Sequence, residues 1–336
     1  MRFRLFAWLG AALAVFSTGP AEGQSKPKWT APLTRDGQPD LEGVWLSNAA
    51  TPLERPPELK GRELLTGAEV AELKRRADRI FAGSDSDYAA GDSPFLSALA
   101  NSTVYKNPIG ATGGAGEMID REFDGRTSLI IDPPDGRIPA LTPEGQRRQT
   151  AALQKSLLIP HPPPERPEDL SNYLRCITYG VPRLGGNFGA GHYSYYQIEQ
   201  TRGYVVLFME TIHDARIIPL DGRPHLPATV RTWNGDSRGH WEGQTLVVDT
   251  TNFSPQSSFM GAAENLHLIE RFTRVAPDEI DQQITLDDPT TWARPWTAMV
   301  RLKRTPERLF EFACHEGNLP MFGILRSARE SEKLPK

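Results

Sequence analysis

LHLIERFTRV (266–275), IDQQITL (280–286) and WTAMVRL (296–302) are three successive runs rich in β-branched, aromatic and aliphatic residues. Short runs of this kind, bounded by turn residues such as Pro277-Asp278, read as strands. The same reading extends upstream to Tyr204–Ile212, Ala215–Pro219, Val230–Trp233 and Thr245–Phe253, and downstream to Leu309–Cys314. Leu220-Asp221-Gly222, Asn234-Gly235 and Glu242-Gly243 supply the turns between them. No helical period intervenes, which argues against a parallel α/β sheet. Strands at this spacing predict an antiparallel meander that curls into a barrel or packs as a sandwich.

The first half of the chain has a different character. Gln24 to Gly61 is rich in proline and polar residues, broken by Leu41-Glu-Gly-Val-Trp-Leu46, which reads as one strand. Leu65–Ala82 predicts a helix capped by Thr66, with Val70, Leu73, Ala77 and Ile80 at helical spacing. Thr142–Leu158 predicts a second, with Pro143 at its first position. The proline run from Pro160 to Pro167 then forms an extended connector, and Gly83–Gly116 reads as loop. The fold expected is therefore mainly β, an antiparallel barrel or sandwich, with an extended N-terminal arm (24–171) whose two short helices pack on a β core over 172–330, arm and core interlocking as one domain. Ser128–Leu141 and Ala215–Pro227 share an Ile-Ile, Asp-Gly-Arg, proline pattern. Duplication and convergent turn chemistry explain that echo equally well.

Arg2 and Arg4, the apolar run Leu5–Phe16 and the small residues up to Gly23 match an export signal over 1–23. No later apolar run approaches the ~20 residues of a membrane helix. The expected location is periplasmic or secreted. Of 38 basic and 42 acidic residues, 36 and 41 remain beyond Gly23, so the chain lacks the basic excess that nucleic-acid binding needs. In an oxidising compartment its two cysteines, Cys176 and Cys314, are expected to form a bridge. A nucleophilic Cys314 beside His315 is the weaker alternative, because neighbours on a strand face opposite ways.

Gly235-Asp236-Ser237-Arg238-Gly239 spells a nucleophile elbow, but a turn and a strand follow where the elbow needs a helix. It reads as a turn. Gly186-Asn-Phe-Gly-Ala-Gly191 is likewise followed by no helix, which excludes a dinucleotide cradle and leaves an aromatic loop or wide turn. Five of the seven histidines lie beyond residue 210, three of them close to an acid: His213-Asp214, His240-Trp-Glu242 and His315-Glu316. Such pairs suit a general base with its orienting carboxylate, a metal site assembled from distant strands, or hydrogen-bonded structural histidines. In Leu266–Phe272 one face carries Leu266, Leu268, Glu270 and Phe272. If that face is inward, Glu270 is a buried carboxylate in need of a partner, with Arg294, Arg301 or a histidine available.

The phrases GDSRGHWEGQTLVVDTTNF (235–253), ENLHLIERFTRV (264–275), DDPTTWARPWT (287–297) and FACHEGN (312–318) resemble a widespread family of secreted bacterial proteins of unassigned function. The resemblance spans most of the mature chain and brings no catalytic residues with it. Gly43-Val-Trp45 also resembles the opening Gly-x-Trp strand of lipocalin-type barrels, which implies architecture only. The expectation is a polar-lined β pocket for a small, partly apolar molecule. His213, Asp214, His240, Glu242, Glu270 and His315 are the candidates for acid–base hydrolysis, elimination or isomerisation without a cofactor. A non-catalytic periplasmic carrier and a metal-dependent hydrolase are the alternatives.

Overall fold

The computed structural model describes residues 29–82, 85–87, 89, 91–107, 121–154, 163–184, 195–257 and 259–333. The expected export signal, the Gly186–Gly191 segment and the end of the second expected helix lie outside the described residues. Among the described residues, ten strands build one antiparallel sheet: β1 (Gly43–Leu46), β2 (Ile130–Asp132), β3 (Tyr195–Gln200), β4 (Tyr204–Met209), β5 (Asp214–Pro219), β6 (Asp236–Glu242), β7 (Thr245–Thr251), β8 (His267–Ala276), β9 (Glu279–Asp287) and β10 (Trp296–Arg304). Nine follow the order β5-β4-β3-β1-β10-β9-β8-β7-β6, and β2 pairs with the first half of β10. The two ends of that order approach each other. Arg216 on β5 donates to Ser237 on β6 at 3.2 Å, and Gly239 on β6 lies against Ile218 and Leu220. A Cβ on Gly239 would come within 2.8 Å of both side chains, so glycine is what lets the strands close up. The sheet is a nearly closed barrel, joined at the β5–β6 seam by side chains.

Period-two alternation turns one face of each strand inward. Leu268, Phe272 and Arg274 on β8, Ile280, Ile284 and Leu286 on β9, and Trp296, Val300 and Leu302 on β10 are all buried. Burying an apolar side chain of this size stabilises by roughly 1.5–3 kcal/mol relative to exposure. The core also takes in Leu41, Trp45, Leu53, Leu129 and Ile130 from the N-terminal arm. β1, drawn from that arm, is a stave between β3 and β10.

The two ends of the barrel are finished differently. Where β1 begins, residues 29–42 cross the opening. The Leu41 amide donates to Gln200 Oε1 at 2.6 Å, and Arg274 donates to the Asp40 carbonyl and carboxylate at 2.9 and 3.0 Å. The same guanidinium lies over Trp45 and Trp29, 5.5 and 5.7 Å from the ring centres. At the other end, where β5, β6 and β8 begin, residues 171–184 pack against the strands, and polar side chains point inward.

Among the described residues, four α-helices lie outside the barrel: α1 (Gly67–Phe81), α2 (Ser93–Leu99), α3 (Pro143–Gln154) and α4 (Leu319–Glu332). Thr66 and Glu69 cap α1 reciprocally, as its sequence implies. α1 and α2 share a small core of Leu59, Leu73, Ala77, Phe95 and Ala98, separate from that of the barrel. α2 falls inside the segment expected to be loop. It is short and leans on α1, and no periodic run of that length announces itself. Leu309–Cys314 is not a strand, because β9 already covers one flank of β10 and β1 and β2 share the other. Val230–Trp233 makes one isolated bridge, Thr232 to Phe253, and is otherwise loop. Gly235–Gly239, expected as a turn, instead opens β6. Cys176 and Cys314 are bonded, with Cα atoms 5.7 Å apart across 138 residues of sequence. Among the described residues no helix is long and apolar enough to cross a membrane.

Candidate functional site

Glu270 faces into the barrel between Leu268 and Phe272, and its partner is Arg216. The two side chains are 3% and 5% exposed and meet at 2.7 Å. Arg216 also donates to Thr250 Oγ1 at 3.1 Å, and the Ser237 and Thr250 hydroxyls lie 2.9 Å apart. Gln282 on β9 donates from Nε2 to Glu270 Oε1 at 3.0 Å. Five strands, β5 to β9, thus contribute to one buried polar cluster. Arg216 reaches it because β5 alternates Asp214, Arg216 and Ile218 inward, and because the seam brings β5 beside β6.

A second polar group sits at the same end. Asp214 accepts from Thr178 Oγ1 at 2.9 Å, the Tyr179 amide at 3.2 Å, and Arg183 and Asn234, each at 3.3 Å. Tyr196, fully buried on β3, feels the charges of Arg183, Glu270 and Arg216. Burial pushes its phenol above the usual range, so it stays neutral. Burial also lowers Arg183, against the pull of the Asp214 carboxylate.

The six side chains nominated from sequence do not converge. Asp214 and Glu270 are inside, in neighbouring polar groups. His213 is exposed in the connection between β4 and β5. His240 and Glu242 do share one face, 3.1 Å apart, but it is the outer face, with Arg271 2.7 Å from Glu242. Bonds from Arg271, then His240, hold the Glu242 carboxyl below its usual range. His315 is exposed in a turn beside the disulfide. On β6 the inward parity belongs to Ser237, Gly239 and Trp241, which leaves His240 outside. The expected partners of Glu270 are also outside: Arg294 bonds Asp132 at 3.0 Å and Arg301 bonds Asp281 at 2.8 Å.

Arg216, Gln282, Ser237 and Thr250 were not among the nominated residues. A signal for two of them existed, since Arg216 and Gln282 each occupy the inward position between buried neighbours on their strands.

Outside the barrel a chain of acids and histidines crosses β6, β7 and β8. His225 contacts Asp236 at 3.0 Å through Nδ1 and Asp249 at 2.9 Å through Nε2, and Asp249 also meets His267 at 2.9 Å. The bond to Asp249 raises His267 above its usual range. Desolvation works to raise Asp249, but bonds from His267 and His225 outweigh it and hold that carboxyl low. Among the described residues, no three His, Cys, Asp or Glu side chains are arranged to hold a metal ion. A groove of about 250 Å³ beside Phe123 is lined by Glu122, Asp124, Glu279, Arg301 and Lys303. Its cations are already neutralised, Arg301 by Asp281 and Lys303 by Glu279.

Neither a protein-family model nor a curated protein matches the chain. Among solved structures, it is similar to a crystal structure of a mutant of the fluorescent protein UnaG. The identity is 14% and the TM-score 0.25, over 40% of this chain and 87% of that one. So distant a likeness says nothing about ligand or activity. The barrel rests on its own strand pairing.

Proposed function

We propose that this protein is an exported barrel that binds a small, partly apolar molecule in its interior. The ligand's polar end would lie against the Arg216–Glu270–Gln282 cluster. The observation that carries this reading is the burial of that cluster among Leu246, Leu268 and Phe272. A core selected for stability alone gains by losing such a pair: an apolar replacement is commonly neutral or better by about 1–4 kcal/mol. Binding a polar group gives the cluster a reason to exist. With residues 29–42 crossing one end beside Trp45 and Arg274, a ligand would enter from the opposite end, where Asp214 and Arg216 lie.

A carrier is the form of this reading best supported. His213, His240 and His315 are outside the barrel, and Glu270 is matched by Arg216. Export and membership of a secreted bacterial family belong to the same proposal, supported by residues 1–23 and the quoted phrases. The test is calorimetric titration of the mature protein with small amphiphiles, repeated for Gln282→Leu and for the outer-face control His240→Ala. Binding that weakens at least tenfold in Gln282→Leu and survives in His240→Ala is expected. Binding untouched by Gln282→Leu and abolished by Lys303→Ala would move the site to the outer groove and overturn the reading.

A further inference from the structure

The two sides of α4 differ in kind. Met321, Ile324, Leu325 and Ala328 share one arc of the helix; Leu325 and Ala328 are buried, and Met321 and Ile324 are half-buried. Leu319, Phe322, Arg326, Arg329 and Lys333 are all exposed. At about 100° per residue, their alternating spacing of three and four gathers them within about 80° of arc, on the side turned away from the protein. Leu319 and Phe322 are 75% and 69% exposed. Single exposed apolar side chains are ordinary, but these two head a row of three cations. Glu330 borders the row and pairs with Lys333 at 2.9 Å, whereas among the described residues no carboxylate pairs with Arg326 or Arg329. The root of the helix is fixed. The Cys176–Cys314 bridge and the Asn318 side-chain amide, which donates to the Leu174 carbonyl at 2.9 Å, tie it to residues 171–184.

Arginines without acids of their own fit an anionic surface, and the apolar side chains ahead of them fit one that also admits hydrocarbon. A bilayer containing anionic phospholipid supplies both. A nucleic acid would meet the cations but leave Leu319 and Phe322 in water. A second copy of the chain brings the same row, which holds no carboxylate to receive the arginines. We propose that the outward row of α4 docks the protein on an anionic phospholipid surface. Leu319 and Phe322 sink below the headgroups, while Arg326, Arg329 and Lys333 lie against the phosphates with their stems along the apolar boundary. Because α4 is rooted at residues 171–184, docking brings that end of the barrel toward the lipid. The proposal goes beyond interior binding and stands whether or not the barrel takes a ligand.

Vesicle flotation of the mature protein tests it, with phosphatidylcholine alone set against phosphatidylcholine mixed with phosphatidylglycerol, each at low and at high salt. The wild type is expected to bind the mixed vesicles about tenfold or more tightly than the neutral ones, and high salt to weaken that binding. Arg326→Gln with Arg329→Gln, and separately Leu319→Ser with Phe322→Ser, should each weaken it by about tenfold or more. All four side chains are exposed, so both double variants should keep the wild-type denaturation midpoint. Arg75→Gln, which removes an exposed cation on α1, should bind as the wild type does. Failure of the wild type to bind either vesicle, equal binding to both, or binding that survives both α4 double variants would overturn the assignment. So would self-association, read by light scattering, that disappears in Leu319→Ser with Phe322→Ser, because the row would then belong to a second copy. The wild-type comparison of the two lipids stands even if a variant does not fold.

Discussion

Glu270 and Arg216 are buried charges whose energies are visible only when the two are changed together. Replacing either alone by methionine leaves the other unpaired inside the barrel, at a cost of about 3–5 kcal/mol. The double variant should lose much less than the sum of the singles. Urea denaturation of all four proteins measures the coupling, and strictly additive losses would show that the pair does not act as one unit. The burial of Glu270 was legible in the sequence, because Leu268 and Phe272 share its parity on β8. Its partner was not. Arg216 comes from a strand far away in sequence, brought close only by closure of the whole barrel. His240 shows the converse limit: His-x-Glu spacing correctly put both side chains on one face, but local spacing does not say which face is inside.

At the scale of elements, the meander β7–β10 was legible because each strand carries its own alternation and turn. β6 was hidden by the glycines and charges of Gly235–Gly239, whose polar parity faces solvent. The long connection from β5 to β6 is strapped to the outer face by His225, which reaches Asp236 and Asp249, while Arg238 bonds both Asp236 and the Pro224 carbonyl. Asp249 and Asp287 are the acids that act on His267. The folded state raises His267 above 6.5 and lowers Asp249 below 3.8. Stability from the raised histidine is complete below 6.5 and fades as pH rises through its folded value. Stability from the depressed carboxyl is complete above 3.8 and fades as pH falls through its folded value. Between those limits both are present. The denaturation midpoint should therefore fall between about pH 5 and about pH 9, and His267→Gln should flatten that fall. An equal fall in the variant would assign it to other groups.

For the whole molecule, the cysteine pair was legible from its number and the expected compartment, whereas the place of β1 as a stave between β3 and β10 was not. The Cys176–Cys314 bridge ties the segment that enters β3 to the chain beyond β10 and closes a loop of 138 residues. Chain-entropy reasoning gives such a closure about 4–5 kcal/mol, chiefly by restricting the unfolded state. Cys176→Ser with Cys314→Ser should lower unfolding free energy by that order, read by denaturation with and without reductant. An unchanged midpoint would mean that the unfolded chain is already compact there. The β5–β6 seam has a consequence of a different kind. Among the described residues, the neighbours along the nine-strand order are laced by backbone ladders, but this junction is held by Arg216, Ser237 and the close packing at Gly239. Amide protons pointing across it should exchange with deuterium sooner than those of β8 and β9, and uniform protection around the barrel would contradict this. The molecule is then less a sealed tube than a cylinder with a door, whose latch is the same arginine that holds the interior carboxylate.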